Sequence, residues 1–205
     1  MKHFLIIVVY LIISQIGFGQ NTINGDSTQN GSFSIYNEKD YPILIGQFKD
    51  GKRDGRWLIY WENGNLKNVI NYNSGVINGF FSSFYESGII ESKGEFLNGK
   101  QNGIWSYYHE NGAPSQTCLM KSGKKNGEAK YFYNTGELES IINYSNGIEN
   151  GIFVWYYETG EIKRKGQYKN GKQIGKWQYF APFTFKLEKI EYYDNNGQIT
   201  KTDNF

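Results

Sequence analysis

The sequence predicts an all-β chain: an elongated, single-layer antiparallel meander of tandem 24-residue β-hairpins, after an N-terminal export signal. Three observations carry that expectation. Glycines recur at a fixed spacing, aromatic residues keep the same register, and no 3.6-residue apolar period survives beyond the amino-terminal segment. Composition points the same way, with 25 Gly and 3 Pro among 205 residues and 18% Phe, Trp or Tyr. Aromatic residues suit a pleated, half-buried surface, and Gly suits turns.

The first element is the signal. Met1-Lys2-His3 is a short positive start, Phe4 to Ile16 is almost wholly apolar, and Gly17-Phe18-Gly19 offers small residues for cleavage before Gln20. The apolar run is too short to cross a bilayer comfortably, where about 20 residues are needed. Residues 1–19 are therefore expected to be a secretory signal peptide and residues 20–30 a flexible polar leader. The mature chain would then reside in the periplasm or outside the cell. A single cysteine, Cys118, leaves no intramolecular disulfide to form there and is expected to be buried.

The repeats come next. Gly31, Gly55, Gly79, Gly103, Gly127, Gly151 and Gly175 stand 24 residues apart without insertion. A second column runs from Gly51 to Gly171, a third comprises Gly64, Gly88, Gly112, Gly136 and Gly160, and a weaker fourth comprises Gly46, Gly94 and Gly166. Tyr36, Tyr60, Phe84, Tyr108, Phe132, Tyr156 and Phe180 form an unbroken aromatic column. Phe33, Trp57, Phe81, Trp105, Phe153 and Trp177 form another, lapsing at Ala129, and Phe48, Tyr72, Phe96, Met120, Tyr144, Tyr168 and Tyr192 form a third.

A unit of this length suits two short strands and two turns. In the second unit the strands are expected over about 56–61 and 65–72, with Glu62-Asn63-Gly64 as the hairpin tip. The other turn, as in Lys169-Asn170-Gly171-Lys172, uses the same positive-φ chemistry of Gly. Alternation places Trp57, Ile59 and Trp61 on one face and Leu58 and Tyr60 on the other. The Tyr60 column, with Leu66, Leu138, Ile162 and the Tyr72 column, is the expected core.

The pattern Gly55-Arg56-Trp57…Tyr60…Gly64…Leu66, continued by Tyr72…Gly75…Gly79, resembles the bacterial variant of the MORN repeat. The resemblance covers residues 31–182. Residues 31–54 form a degenerate first repeat with Asp40 in place of the tip glycine, and residues 183–205 read as a capping hairpin. The resemblance implies a hairpin array that serves as a scaffold or binding surface. Many bacterial relatives carry the label of YwqK-type antitoxin.

Candidate contact residues lie on the Trp57 face. Tyr107, Tyr131, Trp155 and Tyr179 occupy one column, and Trp61, Tyr85, His109, Tyr133 and Tyr157 the next. Such rings either shield a thin sheet or stack on sugars, peptides or a partner chain. Glu38, Glu62, Glu86, Glu110 and Glu158 mark one set of turns and Lys52, Lys100, Lys124 and Lys172 the other, as expected of solvated turn positions. With 22 Lys+Arg against 20 Asp+Glu, the chain lacks the basic face that nucleic acid requires. His109 is the only histidine of the mature chain, and no nucleophile motif or phosphate loop accompanies it. The expectation is an exported, non-catalytic scaffold for a protein partner, without cofactor or metal. The alternatives are an antitoxin or immunity protein, and a binder of envelope polysaccharide or membrane surface.

Overall fold

The computed structural model describes residues 30–205, so the expected signal peptide and all but the last leader residue lie outside the described residues. The chain divides into two compact units, one ending at Gly88 and one beginning at Ile89. Every element in both is a β-strand, and strand order follows chain order.

The first unit holds β1 (Asn30–Tyr36), β2 (Pro42–Lys49), β3 (Lys52–Tyr60), β4 (Leu66–Asn73) and β5 (Val76–Phe84). The second holds β6 (Ile90–Leu97), β7 (Lys100–Tyr108), β8 (Pro114–Lys121), β9 (Lys124–Phe132) and β10 (Leu138–Ser145). It continues through β11 (Ile148–Tyr156), β12 (Ile162–Lys169), β13 (Lys172–Phe180), β14 (Leu187–Tyr193) and β15 (Ile199–Asn204). Within each unit, consecutive strands pair antiparallel. The meander expected from the repeat is the fold observed.

Two turn types alternate. From β4 to β5 the chain reverses over two residues, Ser74 (φ 49°) and Gly75 (φ 86°), both left-handed. Asn146 and Gly147 do the same between β10 and β11. Positive φ at both positions is the type I′ geometry, whose twist matches the flanking strands. At the longer hairpin tips the Gly64 amide donates to the Trp61 carbonyl (2.9 Å) and the Trp61 amide to that of Asn65 (2.8 Å). In the degenerate first repeat Asp40 takes φ 61°, while the Asn37 side chain accepts from the amides of Lys39 and Tyr41. An acidic residue thus fills a glycine position by taking the left-handed conformation that Asn and Asp tolerate best after Gly.

The odd-numbered strands begin about four residues earlier than the sequence suggests, which puts the Gly55 column inside them. In the β2–β3 pair, Gly55, Arg56 and Trp57 stand opposite Gly46 alone. The matching excess falls opposite Gly94 in β6–β7 and opposite Gly166 in β12–β13. Each such bulge bends the strand and carries a left-handed glycine, Gly103 at φ 77° for example. The bend gives a single sheet the curvature to wrap side chains over one of its own faces.

The enclosed face is the one bearing Trp57, and this corrects the expected core. Trp57, Trp105 and Trp177 are at most 1% exposed, and Phe33, Cys118, Ala129 and Phe153 are buried in the same region of the repeat. The Tyr60 column and Leu66, Leu138 and Ile162 are only half-buried. Alternation divides the residues correctly between faces but carries no label for which face curls inward. The Tyr72 column does join the core, edge-on: Phe48, Phe96 and Tyr168 meet Trp57, Trp105 and Trp177 at centroid separations of 5.1, 5.2 and 5.1 Å.

Candidate binding surface

Each large indole rests on a residue without a side chain. A methyl group on Gly94 would sit 2.5 Å from the Trp105 ring, and Gly46 and Gly166 meet Trp57 and Trp177 at least as closely. Where the even-numbered strand carries Ile70 or Ile142 instead, the next strand carries Phe81 or Phe153 in register with it. Where it carries Cys118, the partner is Ala129. Glycine with tryptophan and isoleucine with phenylalanine are two ways of filling the same interlayer volume, as close packing demands. The Cys118–Ala129 step is the smallest; there the Cys118 thiol lies 3.6 Å from the Met120 sulfur, and Gln116 Nε2 donates to Sγ at 3.2 Å.

Toward the hairpin tips, the aromatic stripe links one repeat to the next. Trp61 Nε1 donates to the Phe84 carbonyl at 3.0 Å, and Tyr133 and Tyr157 donate to those of Tyr156 and Phe180 at 2.6 and 2.8 Å. His109 Nε2 stands 3.1 Å from the Phe132 carbonyl and donates to it when that nitrogen carries the proton. These carbonyls belong to the unbroken aromatic column of the following repeat. Tyr85 occupies the equivalent position and is half-buried.

The other half of the stripe crosses the second unit as a transverse row. Cross-strand register lines up Ser92, Tyr107, Gln116, Tyr131, Ser140, Trp155, Arg164, Tyr179 and Lys189. Aromatic residues come from odd strands and polar ones from even strands, so the rings recur at about 10 Å, twice the strand spacing. All four rings are half-buried. Burial pushes the hydroxyls of Tyr107, Tyr131 and Tyr179 above their ordinary value, and that of Tyr144 with them. Lys125 Nζ donates to the Tyr131 hydroxyl (2.6 Å), which shares a 2.9 Å hydrogen bond with Tyr144. Arg164 lies over three rings, its guanidinium carbon 4.7, 5.0 and 5.8 Å from the centroids of Trp155, Phe153 and Trp177. Cation–π contact thereby lays the guanidinium over the rings of the core. At the end of the row, Tyr179, Tyr193 and Lys189 all donate to Glu191, at 2.6, 2.8 and 2.8 Å. Burial alone would raise the Glu191 carboxyl, but these three donors hold it below its ordinary value.

The opposite face carries what the sequence did not single out. Ile104 is 73% exposed, Ile152 54% and Leu119 44%, all at strand positions rather than at turns. Ile104 and Leu119 are cross-strand partners in β7 and β8. The signal was available in the position just before the Trp57 column, held by Arg56, Glu128 and Lys176 but by Ile104 and Ile152 as well. The charged turn columns are solvated as expected: Glu62, Glu86, Glu110, Glu158, Lys52, Lys100, Lys124 and Lys172 are all exposed. No group of three His, Cys, Asp or Glu side chains suited to a metal ion occurs among the described residues.

Hairpins that repeat in register, bury one aromatic face and tie each tip to the next define a tandem β-hairpin repeat protein. Residues 53–74, 101–121, 125–146 and 149–170 each match the family model described as MORN repeat variant. The chain belongs to that family, and it is a repeat protein of the interaction or binding kind. Each matched stretch is one odd strand, its tip and the even strand after it. No curated protein matches the chain.

Proposed function

We propose that the chain is an exported, non-catalytic scaffold that docks a protein partner on the sheet face opposite the Trp57 column. The observation that carries this reading is the exposure of Ile104, Leu119 and Ile152 at strand positions of that face. Aliphatic groups in register across a sheet favour a partner that removes them from water. The same face carries the half-buried rings of Tyr108, Phe132 and Tyr156, and aromatic rings are enriched in interface cores. The Trp57 face has less to offer, because the polar tips of its outer rings already serve neighbouring carbonyls. The apolar amino-terminal run supports delivery beyond the cytoplasmic membrane.

The test is chemical cross-linking in intact cells, followed by capture of the full chain and of an Ile104→Asp, Leu119→Lys variant. A partner retained by the wild type and lost by the variant, at unchanged melting temperature, supports the proposal. Equal capture by both moves the interface elsewhere. Recovery of the protein from the cytoplasm with its first 19 residues intact overturns export.

A further inference from the structure

The geometry points to an acidic segment of the protein partner, with aliphatic residues beside its carboxylates, as the occupant of a lysine-lined cleft over β11, β12 and β13. This deepens the reading above and rests on it, because the cleft opens on the face that bears Ile152. Its origin is a bulge. Gly175, Lys176 and Trp177 stand opposite Gly166 alone, so the ladder between β12 and β13 is parted there. On one face the Trp177 ring closes against Gly166. On the other the gap remains as a cleft of about 360 Å³. Ile152 and Val154 supply its apolar wall, and Lys165, Gln167, Lys176 and Gln178 its polar one. Register explains the grouping: Ile152 pairs with Gln167, Val154 with Lys165, and Lys165 with Gln178. Lys176 joins them because it precedes the inward-facing Trp177.

Charge then selects the occupant. β12 and β13 together hold five lysines, one arginine and no Asp or Glu, which sets a positive field over the cleft. Neither Lys165 nor Lys176 belongs to an ion pair among the described residues. Two like charges therefore share one small cleft whose lining holds no carboxylate. The repeat itself does not demand this. At the equivalent bulge of β6 and β7 the four polar positions hold Lys93, Glu95, Ile104 and Ser106, and at that of β2 and β3 they hold Ile45, Gln47, Arg56 and Leu58. Of these three bulges, the one at Gly166 alone gathers two cations and no anion. A carboxylate placed between the ammonium groups would supply the missing counter-charge, with the carboxamides of Gln167 and Gln178 adding hydrogen bonds. A free phosphate or a lipid headgroup would leave Ile152 and Val154 in water, whereas an acidic side chain beside an aliphatic one covers them.

Fluorescence anisotropy of the mature chain with a short labelled peptide alternating Glu and Val tests this. The peptide should bind, its Gln-for-Glu counterpart should not, and added salt should weaken the complex. Lys165→Gln and Lys176→Gln should each weaken it about tenfold at unchanged melting temperature, while Lys93→Gln, at the equivalent bulge, should leave it intact. Lys165→Glu combined with Lys176→Glu should instead take a peptide alternating Lys and Val. Absence of binding up to about millimolar peptide overturns the inference, as does equal affinity for the neutral peptide or indifference to both lysine substitutions. Stronger binding to phosphatidylglycerol vesicles, in competition with the peptide, overturns it in favour of a membrane surface. The two readings fail separately. Capture in cells that needs Ile104 and Leu119 but neither lysine keeps the docking face and overturns the acidic occupant; capture that needs neither pair removes the face and the occupant with it.

Discussion

At Gly94 the absence of a side chain is what admits the Trp105 ring. Gly94→Ile should therefore destabilise the fold by roughly 3 kcal/mol or more, at the upper end of overpacking costs. Adding Trp105→Phe should recover a large part of that loss, because it rewrites the step into the Ile142–Phe153 combination found in β10 and β11. Denaturant midpoints of the four proteins in a double-mutant cycle would measure the coupling; additive losses would show that the two positions do not share volume. A second prediction belongs to Glu191. Its carboxyl is held below the ordinary value in the fold, so its contribution is complete above the unfolded carboxylate value. That contribution is lost as pH falls from there through the lower folded value. Melting temperatures between about pH 5 and pH 2 should fall less steeply for Glu191→Gln than for the wild type.

The strands owe their bend to glycines that sequence reading placed at the start of each unit. Gly103 sits at φ 77° with no atom within 4 Å of where a Cβ would stand. Gly103→Val should cost about 1–3 kcal/mol in thermal unfolding, through backbone strain without any clash. No loss would mean that the strand can run straight there. The ties between hairpins give a further test: Tyr133→Phe and Tyr157→Phe each remove one hydroxyl donor to a carbonyl and should each cost about 1 kcal/mol. Turns and strand order were legible because Gly, Asn and Ser at fixed offsets have few other uses. The glycine within the strand was not, since a bulge has no composition distinct from that of a turn. The inward face was hidden for a related reason: rings populate both faces of each odd strand, and only the Gly46, Gly94 and Gly166 column betrays which rings lie flat against backbone.

In the second unit each strand pairs along its backbone only with its neighbours in the chain, so stability should accumulate step by step as in other repeat arrays. Removing residues 112–135, from one tip glycine to the next, deletes β8 and β9 together with the Cys118–Ala129 step. It then sets Trp105 opposite Ile142, as Trp57 already sits opposite Ile70. The shortened chain should keep a β-type far-ultraviolet spectrum and a cooperative transition at a lower temperature. A 20-residue deletion from the same start should not, because the glycine and aromatic columns then fall out of step. The repeat period was the most legible property of the whole molecule, being written many times over. The exposed aliphatic patch proposed as a docking face was the least, because it depends on where the repeat is broken, at Ile104 and Ile152.

The three indoles that lie flat on glycine have an optical consequence. Trp57, Trp105 and Trp177 are sealed from solvent, whereas Trp61 and Trp155 are not. The native protein should emit with a blue-shifted component that iodide cannot quench, distributed along the array with one lamp in the first unit and two in the second. Single-tryptophan versions would then report, hairpin by hairpin, where the ribbon first lets water in.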